Sequence, residues 1–272
     1  VLVDFHSHTL ESDGTLAPAE LATLMRKRGV EIFSVTDHDS LGAYGKFDGQ
    51  EGAATIVPGI ELNTTYRGNE VHVLGYGFPL DAVEIGTAIA ENRRQRELRA
   101  QLMVDQLNRA GYELDFANVR AEAGYSRSSL GRPHVARALI RAGHVATLDA
   151  AFRDLLTPGK PGYVPSSYMR PQDAVALIAR AGGVAVLAHP GRLRDEDIID
   201  ELVAAGLAGL EVFYATHEPG QVAHYRNIAA RHGLVMTAGA DFHDPGHNPR
   251  GVGMEVERAD VQPFLDLVLA AA

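Results

Sequence analysis

Nine side chains able to ligate a divalent cation recur along this chain, each in or near a short apolar run. VDFHSH places His6 and His8 one residue apart, and ESDGT brings Asp13 close behind. VEIFSVTDH ends in His38, ATIVPGIEL contains Glu61 and VHVLGY contains His72, while GVAVLAH ends in His189 and LVMTAGADFH supplies Asp241 and His243. Neutral imidazole and carboxylate suit zinc, manganese or iron. Nine such groups exceed the roughly four to six ligands of one ion, so the economical reading is a multinuclear cluster. The sequence has no cysteine, which excludes thiolate sites and cysteine nucleophiles. Glu61 has two oxygens and can bridge two ions, and Asp13 lies in a loop able to fold back over the histidine pair. Asp241 and His243 repeat the alternate spacing of His6 and His8, which puts both members of each pair on one strand face.

Regular elements must bring these distant residues together. PAELATLMRKRG and PQDAVALIARAGG each carry proline at a plausible first helical position and glycine just past the end. Strands alternating with such helices imply parallel pairing in a barrel or wound sheet, where reactive side chains sit at the carboxyl ends of strands. Most of the nine residues fall there, and closure of a barrel would make neighbours of its first and last strands. Residues 83–170 read differently. VEIGTAIAENRRQRELRAQLMVDQLNRAG has apolar positions near helical spacing at Ile85, Ile89, Leu98, Leu102 and Leu107, and stops at Gly111. RPHVARALIRAG and TLDAAFRDLL are also helical. The expected organisation is a barrel domain made from 1–82 and 171–272, with a helical insertion over 83–170.

Composition narrows the function. With 272 residues, 46% of them hydrophobic, the chain can bury a substantial core. A net charge of -10 argues against duplex DNA as a partner, although a local basic patch can hold a phosphorylated substrate and bound cations would offset some of the acidity. No run approaches the ~20 apolar residues of a membrane span, and no basic and apolar leader is visible, so a soluble, cytoplasmic protein is expected. His144, His224, His232 and His247 read as ordinary solvated or hydrogen-bonded histidines.

The motifs DFHSHTLESDGT, VTDHDSLGAY, GIELN, HVLGYGF, GRPHVARAL, AHPGRL and GADFHD, in this order, resemble the PHP family of metal-dependent phosphoesterases within the amidohydrolase superfamily. Order and helical insert are similar to the branch that hydrolyses nucleoside 3',5'-bisphosphates and short RNA ends. The resemblance implies a distorted seven-stranded (βα) barrel with a helical insertion and two or three divalent ions, manganese foremost and zinc or iron as alternatives. It makes His6, His8, Asp241 and bridging Glu61 ligands of a first ion, Glu61, His72 and His189 of a second, and Asp13, His38 and His243 of a third. Asp13 stands where some relatives carry histidine, and its hard oxygen fits manganese or iron at least as well as zinc.

In that chemistry clustered ions acidify a bridging water, supplying hydroxide at neutral pH, and clamp the phosphoryl oxygens. The leaving oxygen needs a proton, for which His189, His217 and His134 are candidates. In LGRPHVARAL, Pro133 can occupy the first helical turn, placing Arg132 and His134 beside free N–H groups that favour anions. Arg96 and Arg99 match an arginine pair common in this branch and are further candidates for a second phosphate. Tyr163, in PGYVP, can stack on a base. The expected activity is removal of the 3'-phosphate from nucleoside 3',5'-bisphosphates. Alternatives are release of nucleotides from 5' ends of short RNA, a small-metabolite phosphatase of the histidinol phosphatase kind, and a non-catalytic metal-binding domain.

Overall fold

The apolar runs form strands and the proline-led segments form helices, and the order of the two sets where the ligating residues emerge. A computed structural model describes residues 1–47, 54–123, 130–246, 248 and 250–270; His247 lies outside them. The strands are β1 (Leu2–Asp4), β2 (Ile32–Phe33), β3 (Thr55–Ile56), β4 (Gly59–Tyr66), β5 (Asn69–Tyr76), β6 (Val184–Leu187), β7 (Gly209–Tyr214), β8 (Val235–Gly239) and β9 (Met254–Glu255). Between them run helices α1 (Pro18–Arg28), α2 (Val83–Arg109), α3 (Phe116–Glu122), α4 (Arg132–Arg141), α5 (Leu148–Ala151), α6 (Pro171–Arg180), α7 (Ile198–Ala204), α8 (Pro219–His232) and α9 (Arg258–Leu269).

The fold is mixed α/β. Among the described residues the strands make two sheets, one in the order β3, β2, β1, β9 and one in the order β4, β5, β6, β7, β8. Of the expected distorted seven-stranded barrel the α/β order is met, and the described strands divide into two sheets, neither closed on itself. β1 and β2 are short because the chain leaves the ladder just before the segments that carry His6, His8 and His38, which lie outside the strands. The sheets still meet at two places. Ser7 bridges Phe242 and His38 bridges Glu61, both in parallel sense, and the Phe5 N–H donates to the Ala238 carbonyl at 2.8 Å.

Helices α1 and α6 begin with the expected prolines, and α1 ends at Gly29 with φ +77°, a left-handed cap that glycine adopts without a Cβ clash. Val3, Phe5, Ile60, Leu74, Val186, Leu210 and Phe264 belong to the main core, between the sheets and their flanking helices. Residues 83–123 and 130–156 contain helices and no strand among the described residues. Met103, Leu107, Leu114, Val119, Leu139 and Leu155 form a separate apolar cluster there.

Helix α2 corrects the expected pattern. Ile85, Ile89 and Leu107 are buried, but Leu98 and Leu102 are exposed. The buried stripe instead runs through Asn92, Arg96 and Arg99 before reaching Met103. Buried positions at helical spacing are normally apolar, so three polar side chains on this stripe need partners.

Candidate metal centre

Eight of the nine ligand-type residues come together in three overlapping groups able to hold a metal ion. His6, His8, Glu61 and Asp241 form one; His8, Asp13, His38 and His243 form another; His38, Glu61 and His72 form the third. Within each group the donor atoms lie within 4.8 Å of one another. His6 and His8 follow β1, His38 follows β2, and Asp241 and His243 follow β8. Glu61 lies on β4, and His72 on β5 is paired opposite Asn63. Glu61 and Asn63 share a strand face, so the hairpin presents Glu61, Asn63 and His72 together. His189, after β6, stands beside the third group, with Nε2 3.2 Å from Glu61 Oε1 and 3.3 Å from His72 Nδ1.

The spacing fits ions. His6 Nε2 lies 3.3 Å from both Glu61 Oε2 and Asp241 Oδ1, and His8 Nε2 lies 3.2 and 3.3 Å from the same two oxygens. Ligands at ~2.0–2.1 Å in tetrahedral geometry are separated by about 3.3 Å, so these gaps match the edges of a coordination shell. His6 Nε2, His8 Nε2, Asp13 Oδ1, Glu61 Oε2 and His72 Nε2 are all buried without a hydrogen-bond partner. One such atom is costly; four of these, on His6, His8, Asp13 and Glu61, lie against other donor atoms of the cluster and are what cations would satisfy, while His72 faces Glu61 through Nδ1 at 2.8 Å.

Charge leads to the same conclusion. Asp13, Glu61, Glu211 and Asp241 are all buried. Burial opposes ionisation of Asp13, Glu61 and Asp241, yet the surrounding imidazoles hold each well below its usual pKa. Burial likewise disfavours a charged His8, but the Asp241 and Glu61 carboxylates push its pKa up to about 10. The pocket therefore retains its negative charge and draws positive charge in, as protons or as metal.

Surrounding groups fix the donors. Glu211 accepts from His6 Nδ1 at 2.9 Å through one oxygen and from the His189 N–H at 2.6 Å through the other. Asp37 accepts from the Thr9 N–H at 2.7 Å and the Ser12 hydroxyl at 2.6 Å, holding the loop that carries Asp13. Tyr214 donates to Asp241 Oδ2 at 2.9 Å, and Arg192 Nη1 lies 3.3 Å from the same oxygen. Asp39, His189 and Asp241 have positive φ of 48°, 28° and 51°. Non-glycine residues rarely adopt that region, and such strain clusters where a function requires it.

The expected substrate residues divide. Arg132 begins α4, half-buried, and donates to Glu70 Oε2 at 2.7 Å. Arg99 pairs with Glu70 and donates to the Val164 carbonyl. With Arg132 and Arg99 beside it, Glu70 is held at a pKa of about 2 although burial opposes this. Arg96 is buried and bonded to Asp39 and the Leu130 carbonyl, so two of its three nitrogens are committed. Of the candidate acids, His217 has both ring nitrogens engaged, by the Val212 carbonyl and the Gly191 N–H. His134 Nδ1 accepts from the Gly131 N–H at 3.0 Å, capping α4, and burial lowers its pKa to about 4. His144, His224 and His232 contact the Glu113 carbonyl, Glu196 and Asp200, as ordinary histidines do.

Two cavities are lined by residues of the cluster, and one further cavity shares Glu70, Arg99 and Arg132 with the smaller of them. One of about 120 Å³ lies between His38, His72 and Arg132. A second, about 260 Å³, is lined by Arg67, Arg99, Arg132, Arg192, Arg194 and Tyr163, among others. A third, about 440 Å³, runs past Asp13, Asp241, His243, Arg137, Phe152 and Tyr214. Sequence reasoning singled out neither Arg192, inside AHPGRL, nor Tyr214. Only an expectation that a buried carboxylate such as Asp241 needs donors from neighbouring strand ends could have found them.

No family model matches the chain. It is 33% identical over 258 residues to the 3',5'-nucleoside bisphosphate phosphatase of Chromobacterium violaceum, covering 92% of this chain and 90% of that protein. It is 30% identical over 256 residues to the 5'-3' exoribonuclease Rnm of Escherichia coli, covering 90% and 86%. A solved amidohydrolase from Chromobacterium violaceum, with sulfate bound and no metal, superposes with a TM-score of 0.89 at 31% identity, over 99% of this chain and 96% of that one. A Bifidobacterium adolescentis structure described as a metal-dependent phosphoesterase gives 0.88 at 31% identity, over 97% and 96%. The ligand-type cluster, the buried carboxylates that demand cations and these full-length likenesses converge: the chain is a hydrolase of phosphate esters and belongs to the PHP family of metal-dependent phosphoesterases.

Proposed function

We propose that this enzyme removes the 3'-phosphate of nucleoside 3',5'-bisphosphates, using manganese ions held by His6, His8, Asp13, His38, Glu61, His72, Asp241 and His243, with His189 Nε2 facing the same space. The observation that carries the reading is the set of four buried cluster atoms without partners, on His6, His8, Asp13 and Glu61, with an arginine-lined cavity joined to the cluster through Arg99 and Arg132. Asp13 supplies a hard oxygen among imidazoles, which fits manganese at least as well as zinc. The two linked sheets support a distorted barrel, with the helices of 83–170 as a covering domain.

When bound, divalent ions would neutralise the phosphoryl oxygens and make a nucleophile available at neutral pH. The chain's own groups do the rest. Glu211 orients His6 and the His189 backbone, and Tyr214 and Arg192 hold Asp241. With His217 tied at both nitrogens and His134 used as a cap, His189 is the candidate whose Nε2 faces the cluster; burial lowers its pKa, so it would serve the leaving oxygen as a neutral N–H donor beside Glu61. Arg132 and Arg194 offer guanidinium groups to the second phosphate, Arg194 having no hydrogen bond or ion pair among the described residues. Binding that phosphate in the 260 Å³ cavity orients the first.

The test is product identity. Adenosine 3',5'-bisphosphate should yield 5'-AMP and inorganic phosphate with manganese present; accumulation of 3'-AMP would refute the assignment. A second reading, stepwise release of nucleotides from short RNA, is favoured by Tyr163 in the same arginine-lined cavity, where a following base can stack.

A further inference from the structure

Asp39 is fully buried and accepts four hydrogen bonds through its carboxylate. Arg96 Nε donates to Oδ2 at 2.8 Å and Asn63 Nδ2 to the same oxygen at 2.7 Å; Asn92 Nδ2 donates to Oδ1 at 2.7 Å and the Asn63 N–H at 3.2 Å. Arg93 Nε also donates to the Asp39 carbonyl at 3.0 Å. Three residues of α2 thus grip the backbone and side chain immediately after His38. The Asn63 amide nitrogen lies 3.2 Å from His38 Nδ1, so the network reaches the imidazole itself. On its other side, Arg96 Nη1 donates to the Leu130 carbonyl at 3.2 Å, just before Gly131 and Arg132.

We propose that Asp39 and Arg96 are positioning residues through which α2 sets His38 in the metal cluster and the Arg132 end of α4 together. A buried ion pair rarely adds stability over apolar packing of the same shape, so stability alone does not account for this one. Its geometry does. Asp39 is held at φ +48°, a conformation its four acceptor bonds enforce, and one guanidinium joins a metal-binding loop to a substrate-binding loop. This explains why the buried stripe of α2 carries Asn92 and Arg96 where apolar residues would be cheaper to bury. Docking of the helical segment and occupancy of the ion held by His8, Asp13, His38 and His243 become one event.

The inference rests on His38 being a ligand. The experiment measures manganese bound per chain against free manganese, by equilibrium dialysis and metal analysis, for wild type, Asp39→Asn, Arg96→Met, Arg96→Lys and the control His38→Ala. Asparagine tolerates the left-handed conformation, so Asp39→Asn retains the turn. We expect every class of site that the His38→Ala control weakens to lose about 10–100-fold in affinity in Asp39→Asn and Arg96→Met, while classes that the control spares change less than about threefold. Arg96→Lys should recover part of the loss. Wild-type isotherms in Asp39→Asn and Arg96→Met, or parallel weakening of every class with a lower melting temperature, would overturn the proposal. If His38→Ala binds like wild type, the ligand assignment fails first and the inference falls with it.

Discussion

The imidazole Nε2 of His6 lies 3.3 Å from Oδ1 of Asp241, although the two residues come from opposite ends of the chain. The gap suits two ligands across one ion, and His6 Nε2 has no hydrogen-bond partner. His6→Ala and Asp241→Asn should each lower manganese affinity and kcat/KM by more than about 100-fold, since even groups that only orient ligands cost 10–100-fold. Metal titration beside phosphate-release kinetics checks this.

Glu211 reaches the centre through His6. Its carboxylate touches His6 Nδ1 and the His189 N–H. Glu211→Gln should reduce metal affinity by about 10–100-fold while leaving kcat near wild type at saturating manganese. An unchanged metal isotherm would remove Glu211 from the account.

Without metal, the centre holds its carboxylates against burial, so bound ions should stabilise the fold. At a manganese concentration of about 100 Kd, the gain is about 2.7 kcal/mol for one site, a rise of roughly 5 °C in melting temperature for a chain of this size. Chelator should reverse it. His6→Ala should show little of the rise, as differential scanning fluorimetry would reveal.

His134 provides a pH signature beside the loop that carries Asp13. Burial, aided by Arg137, lowers its pKa from 6.5 to about 4 in the folded chain. The unfolded chain binds the proton first as pH falls, so stability is lost progressively below pH 6.5 and the loss is complete near pH 4. Glutamine at this helix position can still reach back to the Gly131 N–H. The stability of His134→Gln relative to wild type should therefore rise between pH 7 and pH 4.5, by up to about 3 kcal/mol, in urea titrations.

Arg132 begins α4, lines the cavity proposed for the second phosphate and donates to Glu70 Oε2, while Arg99 takes Oε1. Arg132→Ala should cut kcat/KM for a nucleoside bisphosphate by about 10–100-fold, the worth of a charge-assisted hydrogen bond, and change an aryl phosphate less than about threefold. Equal loss on both substrates would place Arg132 in general anion binding instead.

The residues that gather in the candidate metal centre were legible because each combines a distinctive side chain with a short apolar run, and strand ends are where such groups meet. The partners that fix them were not. Arg96 sits in an arginine-rich helical stretch that reads as a phosphate-binding candidate, and only the fold reveals that its stripe is buried against Asp39. Leu98 and Leu102 fit the helical period yet face outward, because the polar residues Asn92, Arg96 and Arg99 occupy the inward positions. Nor could periodicity foresee the division into two sheets. Strands of two or three residues carry too little pattern to show where pairing stops.

The most direct test of the central claim is kcat/KM for phosphate release by the manganese-loaded enzyme from adenosine 3',5'-bisphosphate, compared with 3'-AMP and 5'-AMP. The account predicts at least about a 100-fold preference for the bisphosphate, equivalent to roughly 2.7 kcal/mol contributed by the second phosphate. Equal or faster turnover of either monophosphate would contradict it.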